Sequence, residues 1–222
     1  MPFSPPLLFI DSANEARVTE LFSTGAFHGL TTNPTILERD DSTVRDLARI
    51  HAWATAAGAH EVCFQTWGRD LKSLRDNSNE LLAIDRSIVV KVPATALGFR
   101  VARELIDNGT QVLITAVYRA AQMAIAASIG AHYVAPYFGR ISDLGRDAVA
   151  EIATMQAISM QGVGKTQILA ASLRTLNDVE HLCALGVHAF TLSPALAEAM
   201  ISDPNSAEAT RVFEETVEAS LI

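Results

Sequence analysis

Ser87-Ile88-Val89-Val90-Lys91-Val92-Pro93-Ala94 reads as a β-strand buried on both faces, with a single charge set in its middle. An ammonium group in such a place loses its hydration, which costs several kcal/mol unless something compensates. Buried amines commonly respond by giving up the proton. A neutral amine in a dry pocket is the nucleophile that attacks a carbonyl to form a Schiff base. On this segment alone a plainer reading fits equally well: the lysine head reaches water at the strand end or pairs with a carboxylate. The surrounding chain has to decide.

On either side of this segment, short apolar runs recur, giving a set at residues 7–12, 29–33, 61–67, 88–94, 111–117, 133–138, 167–172 and 189–193. Longer amphipathic stretches separate them, for example 42–57, 70–83, 98–108, 120–128, 146–160 and 176–185. Several of these close on glycine, as helix C-termini do: Ala57-Gly58, Asn108-Gly109, Ile129-Gly130 and Leu185-Gly186. Strands alternating with helices imply a parallel sheet. Eight repeats in 222 residues fit a single-domain α/β chain, a (β/α)8 TIM barrel, better than an open doubly wound sheet. Residues 1–6 form a short N-terminal extension in this reading, and 204–222 an extra C-terminal helix.

In a barrel of this kind the active site lies at the C-terminal ends of the strands. Those ends carry Asp11, Asn33, Gln65, Lys91, Thr115, Tyr137 and Ser172, one polar group on seven of the eight runs. Packing or capping explains any one of them; a shared site explains the set. The chain has three lysines (Lys72, Lys91, Lys165) among 17 basic residues, so candidates for amine chemistry are few. A net charge of −8 argues against nucleic acid and anionic membranes as partners. No run approaches membrane-span length, and no signal-peptide pattern is read at the start, so a cytoplasmic location is expected. Cys63 and Cys183 have no C-x-x-C partner and read as small buried hydrophobes in a reduced compartment. The six histidines, His28, His51, His60, His132, His181 and His188, are scattered without ligand spacing.

Six segments resemble the transaldolase family, most of all its small branch, the fructose-6-phosphate aldolases. They are Leu8-Phe9-Ile10-Asp11-Ser12, Leu30-Thr31-Thr32-Asn33-Pro34-Thr35, Val89-Val90-Lys91-Val92-Pro93-Ala94-Thr95, Thr115-Ala116-Val117-Tyr118, Tyr133-Val134-Ala135-Pro136-Tyr137-Phe138-Gly139-Arg140-Ile141 and Leu169-Ala170-Ala171-Ser172-Leu173-Arg174. The resemblance implies a class I aldolase on a (β/α)8 barrel, with Lys91 as the Schiff-base residue on the fourth strand. It implies sugar phosphates and aldehydes as ligands. The imine serves as electron sink, so no metal or other cofactor is expected.

Further roles follow from the same matches. Asp11 and Asn33 are expected to hold substrate hydroxyls near the breaking bond; Gln65, Thr115 and Tyr137 to hold and relay protons through a catalytic water. Arg140, Ser172 and Arg174 match the phosphate end, where guanidinium binds bidentately. Gln65 and Tyr137 are aldolase-type, since classical transaldolases typically carry glutamate and phenylalanine there. Arg174 resembles the transaldolases instead, the small aldolases often having lysine. A homo-oligomeric ring, a pentamer or decamer joined through the terminal helix, is also implied, although this chain ends a few residues sooner than that pattern.

Two alternatives stay open: a transaldolase that moves a dihydroxyacetone unit between aldose phosphates, and a non-catalytic sugar-phosphate-binding barrel. Gly162-Val163-Gly164-Lys165-Thr166 is not a P-loop, because Ser159 stands where the first glycine is needed and a strand follows instead of a helix. Trp53 is expected to pack on the barrel exterior, and Trp67 either to pack there or to line the site mouth.

Overall fold

The computed structural model describes residues 5–161 and 166–221. Of the N-terminal extension, residues 1–4 lie outside this range, as do Gly162–Lys165 of the P-loop-like segment. Eight parallel strands close into a barrel in sequence order. They are β1 (Leu7–Asp11), β2 (Gly29–Thr31), β3 (Glu61–Gln65), β4 (Val89–Pro93), β5 (Val112–Val117), β6 (Tyr133–Pro136), β7 (Gln167–Ala170) and β8 (Ala189–Leu192), with β8 pairing back onto β1. The principal outer helices are α1 (Glu15–Ser23), α3 (Leu47–Ala56), α4 (Leu71–Ile84), α5 (Ala96–Asp107), α6 (Ala120–Ile129), α8 (Ala148–Gln161) and α9 (Leu176–Ala184). Among the described residues no helix is long and apolar enough to cross a membrane.

The strands read as continuous apolar runs because each buries both faces. On β4, Val90 and Val92 face the outer layer, packed with helix residues such as Leu81, Val101 and Met123. Val89 points the other way, into an inner layer with Phe9, Cys63, Leu113, Tyr133, Leu169 and Ala189. Lys91 has the parity of Val89 and is 4% exposed, so its side chain occupies the barrel interior. A leucine there would contribute about 1.5–3 kcal/mol by burial, which the lysine forgoes. Burial energetics do not account for the residue.

Four of the expected helix ends have the backbone they imply: Gly58, Gly109, Gly130 and Gly186 all take positive φ. The helix expected over residues 42–57 starts differently, as a 3-10 turn (Val44–Asp46) preceding α3. Asp46 folds back onto the Thr43 backbone N–H while Thr43 accepts from Arg45, which closes a capping box one turn early. Three short helices were not expected: α2 (Pro34–Arg39), α7 (Phe138–Asp143) and α10 (Pro194–Ile201), which follow β2, β6 and β8. The terminal helix α11 (Pro204–Ser220) is present and has no buried residue.

Trp53 is buried in the outer layer, and Trp67 packs there too. Cys63 is buried, but Cys183 is exposed on α9, contrary to expectation, because it falls on the solvent side of that helix while Leu182 takes the core side. The histidines scattered in sequence are partly gathered in space. His28, His60 and His132 each precede a strand, and strand starts converge at one end of a barrel. There Tyr133 Oη donates to Glu61 Oε2 at 3.1 Å, and His28 Nε2 lies 3.7 Å from Glu61 Oε1. His60 stacks on His28, and the His132 ring edges Tyr133.

Candidate active site

At the opposite end, the C-terminal ends of the strands enclose a cavity of about 210 Å³. Lys91 stands at its base, with Nζ donating to the Thr32 carbonyl oxygen at 2.9 Å. Asp11, Asn33, Thr115, Tyr137, Arg140 and Ser172 share its walls. The structure therefore brings together seven of the nine residues singled out from the sequence.

Each is positioned by a local device. β5 shifts register between Ile114 and Val117, with Ala116 at φ 56°, a bulge that ends regular pairing beside Thr115. Thr115 Oγ1 then meets Tyr137 Oη at 3.1 Å. Tyr137 sits at the start of α7, and the Arg140 guanidinium lies 4.8 Å from the centre of its ring. Asn33 caps α2, its Oδ1 accepting from the Thr35 and Ile36 backbone N–H groups, which leaves the amide NH2 as the free donor. Ser172 adopts φ 61°, and its carbonyl oxygen accepts from the Gly139 N–H at 3.0 Å. A β-carbon on Gly139 would stand 2.5 Å from that oxygen, so only glycine lets α7 lie this close to the end of β7.

Asp11 accepts from Thr31 Oγ1 at 2.5 Å, and Thr31 Oγ1 lies 2.6 Å from Thr191 Oγ1. Burial pushes the Asp11 carboxyl above its ordinary value; the Lys91 charge and the Thr31 hydroxyl work the other way without reversing it. Burial also pushes the Cys63 thiol far up, so this neighbour of Lys91 is packing and not a nucleophile. Among the described residues, no three His, Cys, Asp or Glu side chains come together to hold a metal ion.

Two sequence-derived residues are not in the cavity wall. Gln65 is half-buried, in register with Lys91 on the adjacent strand and of the same parity as the inward Cys63. Arg174 is exposed and turned away, its guanidinium forked onto the Asp143 carboxylate. Four polar cavity residues escaped the sequence reading: Thr31, Thr191, Arg39 and Thr35. The inward parity of Thr31 and Thr191 was the available signal for two of them; Arg39 lies on α2, which was itself missed.

The chain matches the family described as Transaldolase/Fructose-6-phosphate aldolase over residues 8–221. A probable transaldolase of Rhodospirillum centenum is 32% identical over 197 residues, covering 88% of this chain and 84% of that one. Another probable transaldolase, of Chelativorans sp. (strain BNC1), is 28% identical over 213 residues, covering 92% and 93%. Among solved structures, mandelate oxidase with (S)-2-phenylpropionate superposes with a TM-score of 0.60 at 15% identity, over 86% of this chain and 65% of the oxidase. That last likeness is one of fold alone. The match along almost the whole chain, with a lysine buried in the barrel, makes this protein a member of the transaldolase/fructose-6-phosphate aldolase family and a lysine-dependent aldolase or transaldolase.

Proposed function

We propose that the protein is a class I aldolase that cleaves and forms fructose 6-phosphate, or a close relative, with dihydroxyacetone and glyceraldehyde 3-phosphate as products. The observation that supports this over transfer is the hydrogen bond between Tyr137 and Thr115 in the cavity that holds Lys91. The Lys91 amine adds to the C2 ketone, and loss of water gives an iminium. The iminium draws in the electron pair of the C3–C4 bond while the C4 hydroxyl gives up its proton to the Asp11 carboxylate and becomes the departing aldehyde. Asp11, together with the amide NH2 of Asn33, holds the hydroxyls at that bond. The resulting enamine is protonated at C3, and water then releases dihydroxyacetone and restores the amine.

A phenol and a threonine hydroxyl beside the lysine supply the proton relay for that last phase, with Gln65 in register beside it. An enamine deprived of the relay would persist until an acceptor aldehyde arrived. At the phosphate end the reading relies on Arg140 and Ser172, because Arg174 would first have to leave Asp143. The setting is the cytoplasm, and the assembly a homo-oligomer in which Phe213, Val217 and Leu221, exposed along one side of the C-terminal segment that α11 begins, pack on another copy. Sedimentation giving a monomer at micromolar concentration would count against that assembly.

The second reading, a transaldolase, is favoured by the names of the relatives. Release of glyceraldehyde 3-phosphate from fructose 6-phosphate separates the two. Release without an acceptor is expected; release only when erythrose 4-phosphate is added would make the protein a transaldolase.

A further inference from the structure

We propose that Asp40 is a positioning residue that holds Asp11 in place in the cavity wall it shares with Asn33, an inference that rests on the catalytic reading above. The short helix α2 carries a cavity group at each end. Asn33 caps its start. At its close, Asp40 Oδ2 accepts from Ser12 Oγ and from the Ala13 backbone N–H, both at 2.7 Å. The same carboxylate takes Arg39 Nε at 2.8 Å and Nη2 at 3.1 Å, and that Nη2 also donates to the Asp11 carbonyl oxygen at 3.3 Å.

Three successive residues, Asp11 at the end of β1 and Ser12 and Ala13 in the turn after it, are thus gripped by the two residues that close α2. The Asp40 side chain is 11% exposed, and a carboxylate so far withdrawn from water is costly unless paired. Burial alone would raise its pKa, but the bonds from Arg39, Ser12 and Ala13 outweigh it and hold the group below the ordinary range. It stays charged and keeps its grip through neutral pH.

Arg39 also borders the cavity, which invites a reading as a second anion-binding group. Its charge is already matched by the forked Asp40 carboxylate, and its remaining bond goes to backbone. Its work is to transmit the Asp40 anchor to Asp11. A turn staple with no catalytic consequence would use the same bonds, so the test has to separate the two.

The experiment compares Asp40→Ala, Asp11→Asn and the double variant on the full chain, using borohydride trapping of fructose 6-phosphate on Lys91 and the kcat for cleavage. Trapping by Asp40→Ala is expected within about twofold of the unsubstituted protein, while kcat falls about 10–100-fold, as a displaced group near the reacting bond predicts. In the Asp11→Asn background the same change should cost less than about threefold, because the group it positions is already disabled. Asp40→Asn, which keeps an acceptor for the turn, should recover part of the loss. If Asp40→Ala does not fold, Arg39→Gln takes its place, leaving the Ser12 and Ala13 bonds intact, with the same non-additivity expected. Losses that multiply, or an unchanged kcat, overturn the inference alone. No adduct on the unsubstituted protein overturns the catalytic reading beneath it.

Discussion

Tyr133 and Tyr137 stand four residues apart, one on β6 and one just past it, and they meet opposite fates. Tyr133, at the closed end, is 1% exposed and spends its hydroxyl on Glu61. Burial and the Glu61 charge push its pKa up, so it stays a neutral donor. Tyr137, at the open end, faces a cavity and shares a hydroxyl contact with Thr115. The carboxylates divide the same way. Burial works to raise Glu61, yet its donors prevail and hold it below the ordinary range, whereas burial prevails at Asp11 and holds it above. One end of the barrel consumes its polar capacity in folding; the other keeps that capacity open at a cost in stability.

The strongest break of this contrast is Lys91→Met. Turnover should fall by about 10⁴-fold or more, as for removal of a nucleophile. Thermal unfolding should occur at an equal or higher temperature, since an apolar side chain replaces a buried amine. A variant retaining turnover would remove the covalent mechanism.

Next is the matched tyrosine pair. Tyr137→Phe should slow free cleavage about 100-fold while transfer to an added aldehyde suffers less. Equal loss of both activities would end the proposed relay. Tyr133→Phe should leave activity nearly unchanged but cost about 1.5–3 kcal/mol in denaturant unfolding, the worth of a bond to a charged group.

The smallest effects are the most discriminating, because their signs differ with pH. Asp11 has a raised folded pKa, so the stability tied to it is full below the ordinary carboxylate value and is lost as pH rises through the folded value. Asp11→Asn should therefore stabilise the protein at pH 8 and lose that advantage near pH 4. Glu61 has a lowered folded pKa, so its contribution is present at neutral pH and lost as pH falls through that value. Glu61→Gln should destabilise at pH 8, with the deficit shrinking in acid. Melting curves at the two pH values check both, and parallel behaviour would erase the distinction between the two ends.

How much of this was legible depended on how local its cause was. The strands and long helices follow from apolar periodicity, and Lys91 announces itself as a charge in a run buried on both faces. The short helices escaped because six to eight residues carry little periodicity, although Asn33-Pro34 and Ser193-Pro194 are cap and first-position signals that mark two of them. Arg174 was placed by the motif around it, but its partner Asp143 lies 31 residues away, and no local pattern shows that pairing. The closed-end cluster was illegible for the same reason. His28, His60, Glu61, His132 and Tyr133 are neighbours only because the barrel starts all its strands at one rim.

The absent side chain at Gly139 has a consequence for anyone redesigning the protein. The turn carrying Arg140 rests directly on the carbonyl of Ser172, backbone against backbone, so the loops after β6 and β7 behave as one rigid part. Grafting either loop alone from a relative would wedge the other out of place. The two should be transplanted together, as a single module with its glycine hinge-pin intact.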